Sequence, residues 1–442
     1  MTSASVRCLQ GLLALASLVA ASAHATLPIQ QWQTTSGARV LFVETHDLPM
    51  LDIAVDFPAG SSRDAPTKSG VASLTLGLMR SGTDRYGEDE ISERLASIGA
   101  DLSARFDTDR AGYGLRTLSS ARERDEALGL LASVLQKPTF PQKTFEREQQ
   151  RALAGLREAE TRPEVLADRE FKHLLYGDHP YSRPGAGEAE TVEKLRRDDL
   201  LEFYRGYFTA RDAVVSVIGD LSRSEAGAIA EQLTAGLNRG SQALPALPAV
   251  AQLQTAKTSR IAHPATQAHI LIGQPGIKRL DPDYFPLFLG NYVLGGGGFA
   301  SRLNDEIRQK RGYAYSTYSY FNPLALEGPF QIAVQTKKQT TQDALKVAQD
   351  TLAKIVSEGP TPEELDAAKQ NIIGGFPLRI DSNKKILDYL SIIGFYRLPL
   401  TYLDDFPVQI ERLTLDQIKD AWRRRIHPER MVTVVVAGAE SP

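Results

Sequence analysis

Two stretches of the chain share one pattern: EKLRRDDLLEFYRGYFTARDAVVSVIGD at residues 193–220 and ERLTLDQIKDAWRRRIHPERMVTVVVAG at residues 411–438. They align without a gap, so that Tyr204 matches Trp422. Each stretch has the pattern of an amphipathic helix followed by a β-branched strand. Since the same order of elements occurs twice, the sequence predicts two homologous halves that arose by duplication.

The residues before the first copy predict what each half contains. Apolar and β-branched runs alternate there with longer segments of helical period. We therefore expect an α+β fold of two homologous domains, each a mostly antiparallel β-sheet packed with α-helices. The expected elements are strands at residues 38–44, 51–57, 101–106, 112–118 and 214–218, and helices at residues 70–80, 88–98 and through most of 121–208.

The length of 442 residues is too great for one typical hydrophobic core and suits at least two domains. Between the two halves lies RGSQALPALPAV, a polar and then proline-spaced segment without helical period, which is typical of a linker with some stiffness. We predict a signal peptide at residues 1–25, an N-terminal domain at 26–238, a linker at 239–252 and a C-terminal domain at 253–442.

The first 25 residues have the pattern of a cleaved secretory signal. Arg7 is their only charged residue, residues 11–22 are apolar, and small residues follow at a cleavage position. A membrane anchor is the alternative, but the apolar run is shorter than the roughly 20 residues that span a bilayer. We expect a periplasmic protein that is not held in a membrane after cleavage.

Cysteine and charge exclude several classes of function. Cys8 is the single cysteine and lies in the predicted signal peptide. The remaining chain would therefore have no disulfide, no cysteine nucleophile and no cysteine-rich metal site. A formal net charge of −3 at pH 7 argues against nucleic acid as a partner.

The stretch GGGGFASRLNDEIRQKRGYAYSTYSY at residues 295–320 is the strongest candidate for a functional segment. We expect a flexible glycine loop, a helix with Phe299, Leu303 and Ile307 on one face, and then a strand of alternating tyrosines. Arg308 lies near the helix end and Tyr315 lies in the strand. A guanidinium and a phenol could converge across the turn between them.

Common catalytic motifs are missing from the sequence. No two histidines have the spacing of a zinc pair on one helix, and no Gly-x-Ser-x-Gly motif occurs. The glycine run is not followed by the Gly-Lys-Ser/Thr of a phosphate-binding loop, because Phe299 comes directly after Gly298.

The duplicated halves, the linker and above all GGGGFASRLNDEIRQKRGYAYS resemble the pitrilysin/insulinase family of zinc peptidases. The resemblance covers essentially all of the chain after the signal peptide. It is closest to the short two-domain branch that includes the mitochondrial processing peptidase. In that family the first domain carries an inverted zinc motif, His-x-x-Glu-His, and the second domain carries an Arg and a Tyr seven residues apart.

The resemblance places the zinc motif on GVASLTLGLMRSGT at residues 70–83. Ser73 and Gly77 stand at the two histidine positions, and Leu76 stands at the general-base position. A third ligand, a glutamate one turn after a Glu-Arg-Glu run, falls on Ala152. Serine, glycine and alanine at these positions cannot hold zinc or lower the pKa of its bound water. No role is assigned to Glu148 in the Glu-Arg-Glu run, where a solvated side chain is the simplest interpretation.

Arg308 and Tyr315 keep the family's spacing. The resemblance implies that Tyr315 donates its phenol O–H to the oxyanion of a tetrahedral intermediate, and that Arg308 holds a peptide carbonyl or orients Tyr315. It also implies substrate contact at the glycine loop, residues 295–298. Without the resemblance, an arginine in a surface ion pair and a tyrosine in a strand core would be the simpler interpretation.

These features together predict a non-catalytic periplasmic subunit. It would bind no cofactor itself and would pair with a homologous zinc-bearing subunit to cleave extended peptides, with Arg308 and Tyr315 acting in the partner's active site. One alternative is a self-associated peptide-binding or chaperone-like protein without an enzymatic partner. Another is a hydrolase with an unrelated site, which the missing motifs disfavour.

Overall fold

The computed structural model describes residues 28–240 and 243–438. Its first half contains one six-stranded sheet with helices packed on it. The elements of this half are β1 (Gln30–Gln33), β2 (Arg39–Glu44), β3 (Met50–Phe57), α1 (Val71–Met79), α2 (Glu88–Ser97), β4 (Asp101–Phe106), β5 (Ala111–Leu118), α3 (Ala121–Gln136), α4 (Gln142–Ala159), α5 (Pro163–Tyr176), α6 (Ala189–Val192), α7 (Arg197–Tyr207), β6 (Val214–Gly219) and α8 (Arg223–Thr234).

The second half contains a five-stranded sheet and a similar set of helices. Two π-helical turns, Tyr292–Gly296 and Asn304–Gln309, lie between its first helix and its third strand. The other elements are β7 (Lys257–Ala262), β8 (Gln267–Pro275), α9 (Tyr284–Asn291), β9 (Ala314–Phe321), β10 (Pro329–Lys337), α10 (Thr341–Glu358), α11 (Pro362–Gly374), α12 (Asn383–Tyr396), α13 (Tyr402–Arg412), α14 (Leu415–Arg425) and β11 (Val432–Ala437).

The two sheets have the same strand order. The first runs β1-β2-β6-β3-β5-β4 and the second runs β7-β11-β8-β10-β9, so β1 is the only addition. In each sheet one pair is parallel, β2 with β6 and β7 with β11, and every other pair is antiparallel. The predicted α+β fold of duplicated, mostly antiparallel halves is confirmed.

The sequence repeat also predicts the local structure well. Helix α7 and helix α14 begin and end at aligned residues, and the strands that follow them begin at aligned residues. The buried side chains of these strands are Val, Ile and Ser in β6 and Val and Thr in β11. The strands expected at residues 38–44, 51–57, 101–106 and 112–118 lie within one residue of β2 to β5.

Each half gives one helix to the sheet of the other half. Helix α5 packs against β8 and β11, whereas its repeat counterpart α12 packs against β2, β3 and β6. Phe171 of α5 is fully buried beside Gly273, where an added Cβ would lie 2.8 Å from the ring. In α12 an added Cβ at Gly394 would lie 2.6 Å from Leu41. The exchange joins the two halves in two places. With α12, the core of the second half extends onto β2, β3 and β6, and α5 forms a separate apolar cluster with β8 and β11.

A buried carboxylate connects the two halves where these helices end. Asp109, in the turn between β4 and β5, accepts hydrogen bonds from the phenols of Tyr181 (3.0 Å) and Tyr396 (2.9 Å). It also accepts one from the backbone N–H of Ala325 in the second half, at 2.7 Å. Burial raises the pKa of Asp109. The turn of the first sheet is therefore fixed to the β9–β10 connection of the second.

Some predictions concern residues outside this description. The signal peptide at 1–25 lies outside the described residues, as do residues 241 and 242 of the predicted linker. The domain boundaries at 238, 252 and 253 stay predictions. In the two described ranges, no helix combines the length and the apolar character needed to cross a membrane.

Candidate functional site

The glycine run forms part of a packed π-helical turn. An added Cβ at Gly295 would lie 2.5 Å from the hydroxyl of Ser319, and at Gly296 and Gly297 it would lie 2.8 Å from the nearest atoms of Asn291 and Tyr292. Only Gly298 of the four has a positive φ, at 60°, and open space around it. Three of the glycines are therefore required by contacts within the chain, and Gly298 alone keeps the freedom expected of a loop.

The expected helix exists but begins later than its apolar period predicts. Leu303 and Ile307 are fully buried, as expected, but Phe299 is 68% exposed and lies in a short 3₁₀ turn before the helix. The prediction that Phe299 shares the buried face was wrong. The reason is that the chain turns between the glycine run and residue 302, so that the helical period does not extend back to residue 299.

Arg308 is exposed and its guanidinium lies over a ring. The guanidinium carbon is 5.0 Å from the ring centroid of Phe299, which is within cation–π range. Among residues 28–240 and 243–438, no ion pair or side-chain hydrogen bond to Arg308 is formed. The helix ends just beyond, where Gly312 adopts a φ of 64° and donates its N–H to the carbonyl oxygen of Arg308. The five guanidinium N–H donors are thus available, and Phe299 supports the side chain.

Tyr315 occupies an irregular position in β9. Ser316 pairs with Gln335 and Ala314 pairs with Thr336, so Tyr315 is the extra residue of a β-bulge. Its side chain is 55% exposed, and its phenol has no hydrogen-bond partner in the described part of the chain. Strand β9 is the last strand of its sheet. A bulge at a sheet edge re-aims one side chain, and here that side chain is the predicted oxyanion donor.

The next residues of β9 line a cavity of about 630 Å³. Helix α5 from the first half contributes one wall, and β8, β10 and β9 contribute the other. Tyr318 and Tyr320 stack there with ring centroids 6.1 Å apart. Burial raises the pKa of Tyr320 to about 12 and lowers the pKa of His269, which also lines the cavity. The cavity is thus lined by Ser316, Tyr318 and Tyr320 of the edge strand that also carries Tyr315.

The two helices to which the resemblance assigns the zinc-motif positions pack together. Helix α1 carries Ser73, Leu76 and Gly77, and it packs against α4, which carries Ala152. Leu76 is buried in the first core, where its carbonyl accepts a hydrogen bond from Tyr113. A hydroxyl, an apolar side chain, a hydrogen atom and a methyl group are not a zinc ligand set, so these residues do not fit the metal. In the described ranges, no three His, Cys, Asp or Glu residues are grouped so as to hold a metal ion.

A buried aspartate caps the start of α1, which sequence reasoning did not detect. Asp64 accepts hydrogen bonds from the backbone N–H groups of Gly70 (2.6 Å) and Ala72 (2.9 Å). Its burial raises its pKa to about 7, although these two hydrogen bonds act in the opposite direction. The capping residue precedes the helix by several positions, so the usual signal of an adjacent cap is missing. The helix that would carry the zinc motif is thus held in place without any metal.

Glu148 makes surface contacts only. Its carboxylate pairs with Arg147 at 2.9 Å and with Arg151 at 3.7 Å on the exposed side of α4. Exposed pairs of this kind contribute little to stability. In the described residues, the carboxylate of Glu148 forms no hydrogen bond or ion pair with α1.

Comparison with known proteins agrees with this geometry. A family model described as Insulinase (Peptidase family M16) matches residues 39–188, and one described as Peptidase M16 inactive domain matches residues 194–372. A crystal structure of a peptidase M16 inactive domain from Pseudomonas fluorescens is 38% identical, with a TM-score of 0.90 over 94% of this chain and 99% of that chain. The chain belongs to the insulinase family, peptidase family M16.

The names of relatives in the insulinase family describe different activities. A Helicobacter pylori protein named non-peptidase homolog YmxG is 28% identical over 86% of this chain and 87% of its own length. A Bacillus subtilis protein named uncharacterized zinc protease YmxG is 25% identical over 80% of this chain and 85% of its own length. The descriptions of these matches, a non-peptidase homolog and an inactive domain, agree with an inactive M16-like member of the family.

Proposed function

We propose that this chain is the non-catalytic subunit of a heterodimeric periplasmic zinc peptidase, and that Arg308 and Tyr315 act in the active site of its partner. The proposal rests on a difference between the two halves of the chain, one of which lacks metal ligands while the other keeps possible substrate-binding residues. The residues that the resemblance assigns to zinc and its general base are Ser73, Leu76, Gly77 and Ala152, which cannot serve either role, whereas Arg308 and Tyr315 keep exposed donor groups. Arg308 and Tyr315 could still take part in peptide hydrolysis if another chain supplies the zinc.

The chemistry of peptide hydrolysis explains what such donors do. Attack on a peptide carbonyl creates an oxyanion, and donors already aimed at that oxygen stabilise the transition state more than the substrate. The phenol of Tyr315 supplies one O–H for this role. Arg308 supplies a cation for a peptide carbonyl or for holding the phenol. In this proposal zinc and the water that it activates belong to the partner, a homologous subunit with the His-x-x-Glu-His motif.

The surroundings of the pair support an extended peptide as the substrate. Strand β9 lies at the sheet edge, and backbone pairing at such an edge binds peptides with little sequence preference. Phe299, which lies against Arg308, and Tyr318, in the same strand as Tyr315, add exposed aromatic surface. Aromatic side chains are enriched at protein interfaces, so this surface suits either the peptide or the partner subunit.

The periplasmic location has separate support. The apolar segment at residues 11–22 and the small residues after it have the pattern of an export signal. A chain with no cysteine beyond Cys8 is also compatible with an oxidising compartment.

A reconstitution experiment tests the proposal. The purified chain alone is expected to bind no stoichiometric zinc and to cleave no peptide. Mixing it with the zinc-bearing homologue from the same organism should produce a complex by gel filtration and a peptidase activity that neither chain has alone. Zinc-dependent cleavage by this chain alone, or no complex with the homologue, would reject the proposal.

One observation favours a second candidate function. The cavity beside β9 is built from both halves of a single chain, so a peptide could bind there without a partner. A self-associated peptide-binding or chaperone-like protein would use the cavity in this way. It predicts that unfolded peptides bind to the isolated chain and that a zinc-bearing homologue does not co-purify with it.

A further inference from the structure

A second cavity, of about 270 Å³, lies in the second half where the segment before α9 meets the connection from α12 to α13. Its volume is near the lower end for ligand pockets, which is about 300 Å³. Most of its wall is apolar or aromatic. The residues that matter here are Arg279, Leu280, Tyr284, Phe285, Leu398 and Tyr402.

Arg279 is a half-buried cation in this cavity. Its Nε atom is buried and has no hydrogen-bond partner, and its guanidinium carbon lies 5.1 Å from the ring centroid of Tyr396. In the described residues no carboxylate forms an ion pair with Arg279. A guanidinium that loses water without gaining an anion is costly, so a site of this kind favours an anionic ligand.

The groups around Arg279 add donors and cations. The side chains of Tyr284 and Tyr402 add phenols to the wall of the cavity. Burial raises the pKa of Tyr284, and the positive charges of Arg279 and Arg379 act in the opposite direction. Arg379 is exposed and forms no ion pair in the described ranges.

Two carboxylates also line the cavity and must be considered. Asp281 pairs with Arg425 at 2.6 Å, so its charge is compensated. Asp405 is exposed and accepts a hydrogen bond from Thr401 at 2.6 Å. Its charge opposes an anion from the rim of the cavity, where water screens it. In the described ranges, neither carboxylate forms an ion pair with Arg279.

We propose that this cavity binds a carboxylate attached to a small apolar or aromatic group, with the carboxylate against Arg279 and the apolar group against Phe285 and Leu398. A guanidinium binds a planar carboxylate through two parallel hydrogen bonds, which gives both affinity and orientation. Two sources supply this chemistry, a free monocarboxylic acid and the C-terminal residue of a peptide. The site does not depend on the partner subunit or on Tyr315.

Calorimetric titration of the full chain tests the site, with phenylacetate as the probe and its neutral amide, 2-phenylacetamide, as the matched compound. Phenylacetate is expected to bind at one site, with the amide at least about tenfold weaker, because a charge-assisted hydrogen bond is lost. Arg279→Gln should weaken phenylacetate by a similar factor. Lys278→Gln, which removes the neighbouring exposed cation, should change its affinity less than about twofold.

A second variant keeps the test decisive if Arg279→Gln fails to fold. Asp405→Asn removes an exposed charge and should tighten phenylacetate binding about twofold, since the rim carboxylate opposes the ligand. A short acetylated peptide ending in Phe, with a free or an amidated C-terminus, separates the two sources. Binding of the free-acid peptide supports a peptide terminus, and binding of phenylacetate alone supports a free acid. No binding of phenylacetate, or equal binding of acid and amide, would overturn the proposal.

Discussion

The guanidinium of Arg308 lies over the ring of Phe299, with its central carbon 5.0 Å from the ring centroid. Both side chains are exposed. In the described residues, the guanidinium forms no ion pair or side-chain hydrogen bond, so the ring of Phe299 is what restrains it. Phe299 is therefore a positioning residue for Arg308. The 3₁₀ turn that holds Phe299 begins at Gly298, the last residue of the glycine run, so the glycine run also affects the position of this ring.

Removing the ring of Phe299 should leave the guanidinium of Arg308 in place but less well positioned for catalysis. We expect Phe299→Ala to lower kcat/KM of the reconstituted pair about two- to fivefold, because an exposed cation–π contact contributes about 0.5–1 kcal/mol. Phe299→Tyr should restore the wild-type value. Leu378→Ala removes another exposed apolar side chain, elsewhere in the second half, and serves as the control. A strong effect of Arg308→Ala together with no effect of Phe299→Ala would show that the ring does not position the cation.

The glycines of this run serve two different purposes, close packing at Gly295 and a positive φ at Gly298, and two variants are needed to test them. Gly295→Ala should lower the free energy of unfolding by about 1–3 kcal/mol, because the new Cβ would overlap the Ser319 hydroxyl. Gly298→Ala meets no atom within 4 Å and should cost about 1 kcal/mol from its positive φ alone. Urea unfolding of the isolated chain measures both values. Equal stability of the two variants would contradict the packing role of Gly295.

The exchanged helices should make the two halves unfold together. Phe171→Ala removes a fully buried ring from the apolar cluster that α5 forms with β8 and β11, and should cost about 3–5 kcal/mol. Hydrogen–deuterium exchange can follow β3 of the first sheet and β8 of the second in the same sample. We expect both strands to lose protection equally, whereas Leu48→Ala, at an exposed position, should change neither. Loss of protection confined to β8 would mean that the halves are independent.

The cap of α1 should produce a characteristic pH dependence. The pKa of Asp64 is raised from 3.8 to about 7 by burial, so its contribution to stability is fully present at low pH and is lost as pH rises through 7. Between pH 4 and 7 this group should lower the free energy of unfolding by at most about 4 kcal/mol, at about 1.4 kcal/mol per unit.

Urea unfolding at several pH values between 4 and 8 checks this expectation. Asp64→Asn should flatten the pH profile, and Asp101→Asn, at an exposed position in β4, should leave its slope unchanged. Parallel profiles for the wild type and Asp64→Asn would show that the carboxyl is ionised throughout this range.

Local periodicity explains why most of the fold could be predicted. In residues 193–220 and 411–438, the spacing of the apolar residues within each segment predicts the helix and the strand that follows it. Because of the duplication, the same order of elements occurs twice. The start of the helix before Arg308 could not be predicted in this way. Contacts of Gly295 to Gly297 with Ser319, Asn291 and Tyr292 decide where the chain turns, and therefore leave Phe299 exposed.

Contacts between distant residues were beyond the sequence pattern. Helices α5 and α12 have ordinary amphipathic patterns, and nothing in such a pattern states which sheet a helix will cover. Asp109 resembles a turn residue, although its partners Ala325 and Tyr396 lie in the other half of the chain. For the candidate site, spacing and resemblance select Arg308 and Tyr315, whose role stays a prediction. The bulge at Tyr315 and the ring under Arg308 depend on tertiary structure and could not be predicted.

The turnover of the reconstituted pair with Tyr315→Phe in this chain tests the central claim most directly. Tyr318→Phe is the matched control, because it removes a phenol of similar exposure from the same strand. If Tyr315 donates to the oxyanion, Tyr315→Phe should lower kcat by ~10² to 10³, as other losses of an oxyanion donor do, and Tyr318→Phe should change it less than about threefold. Unchanged turnover with Tyr315→Phe would contradict the account.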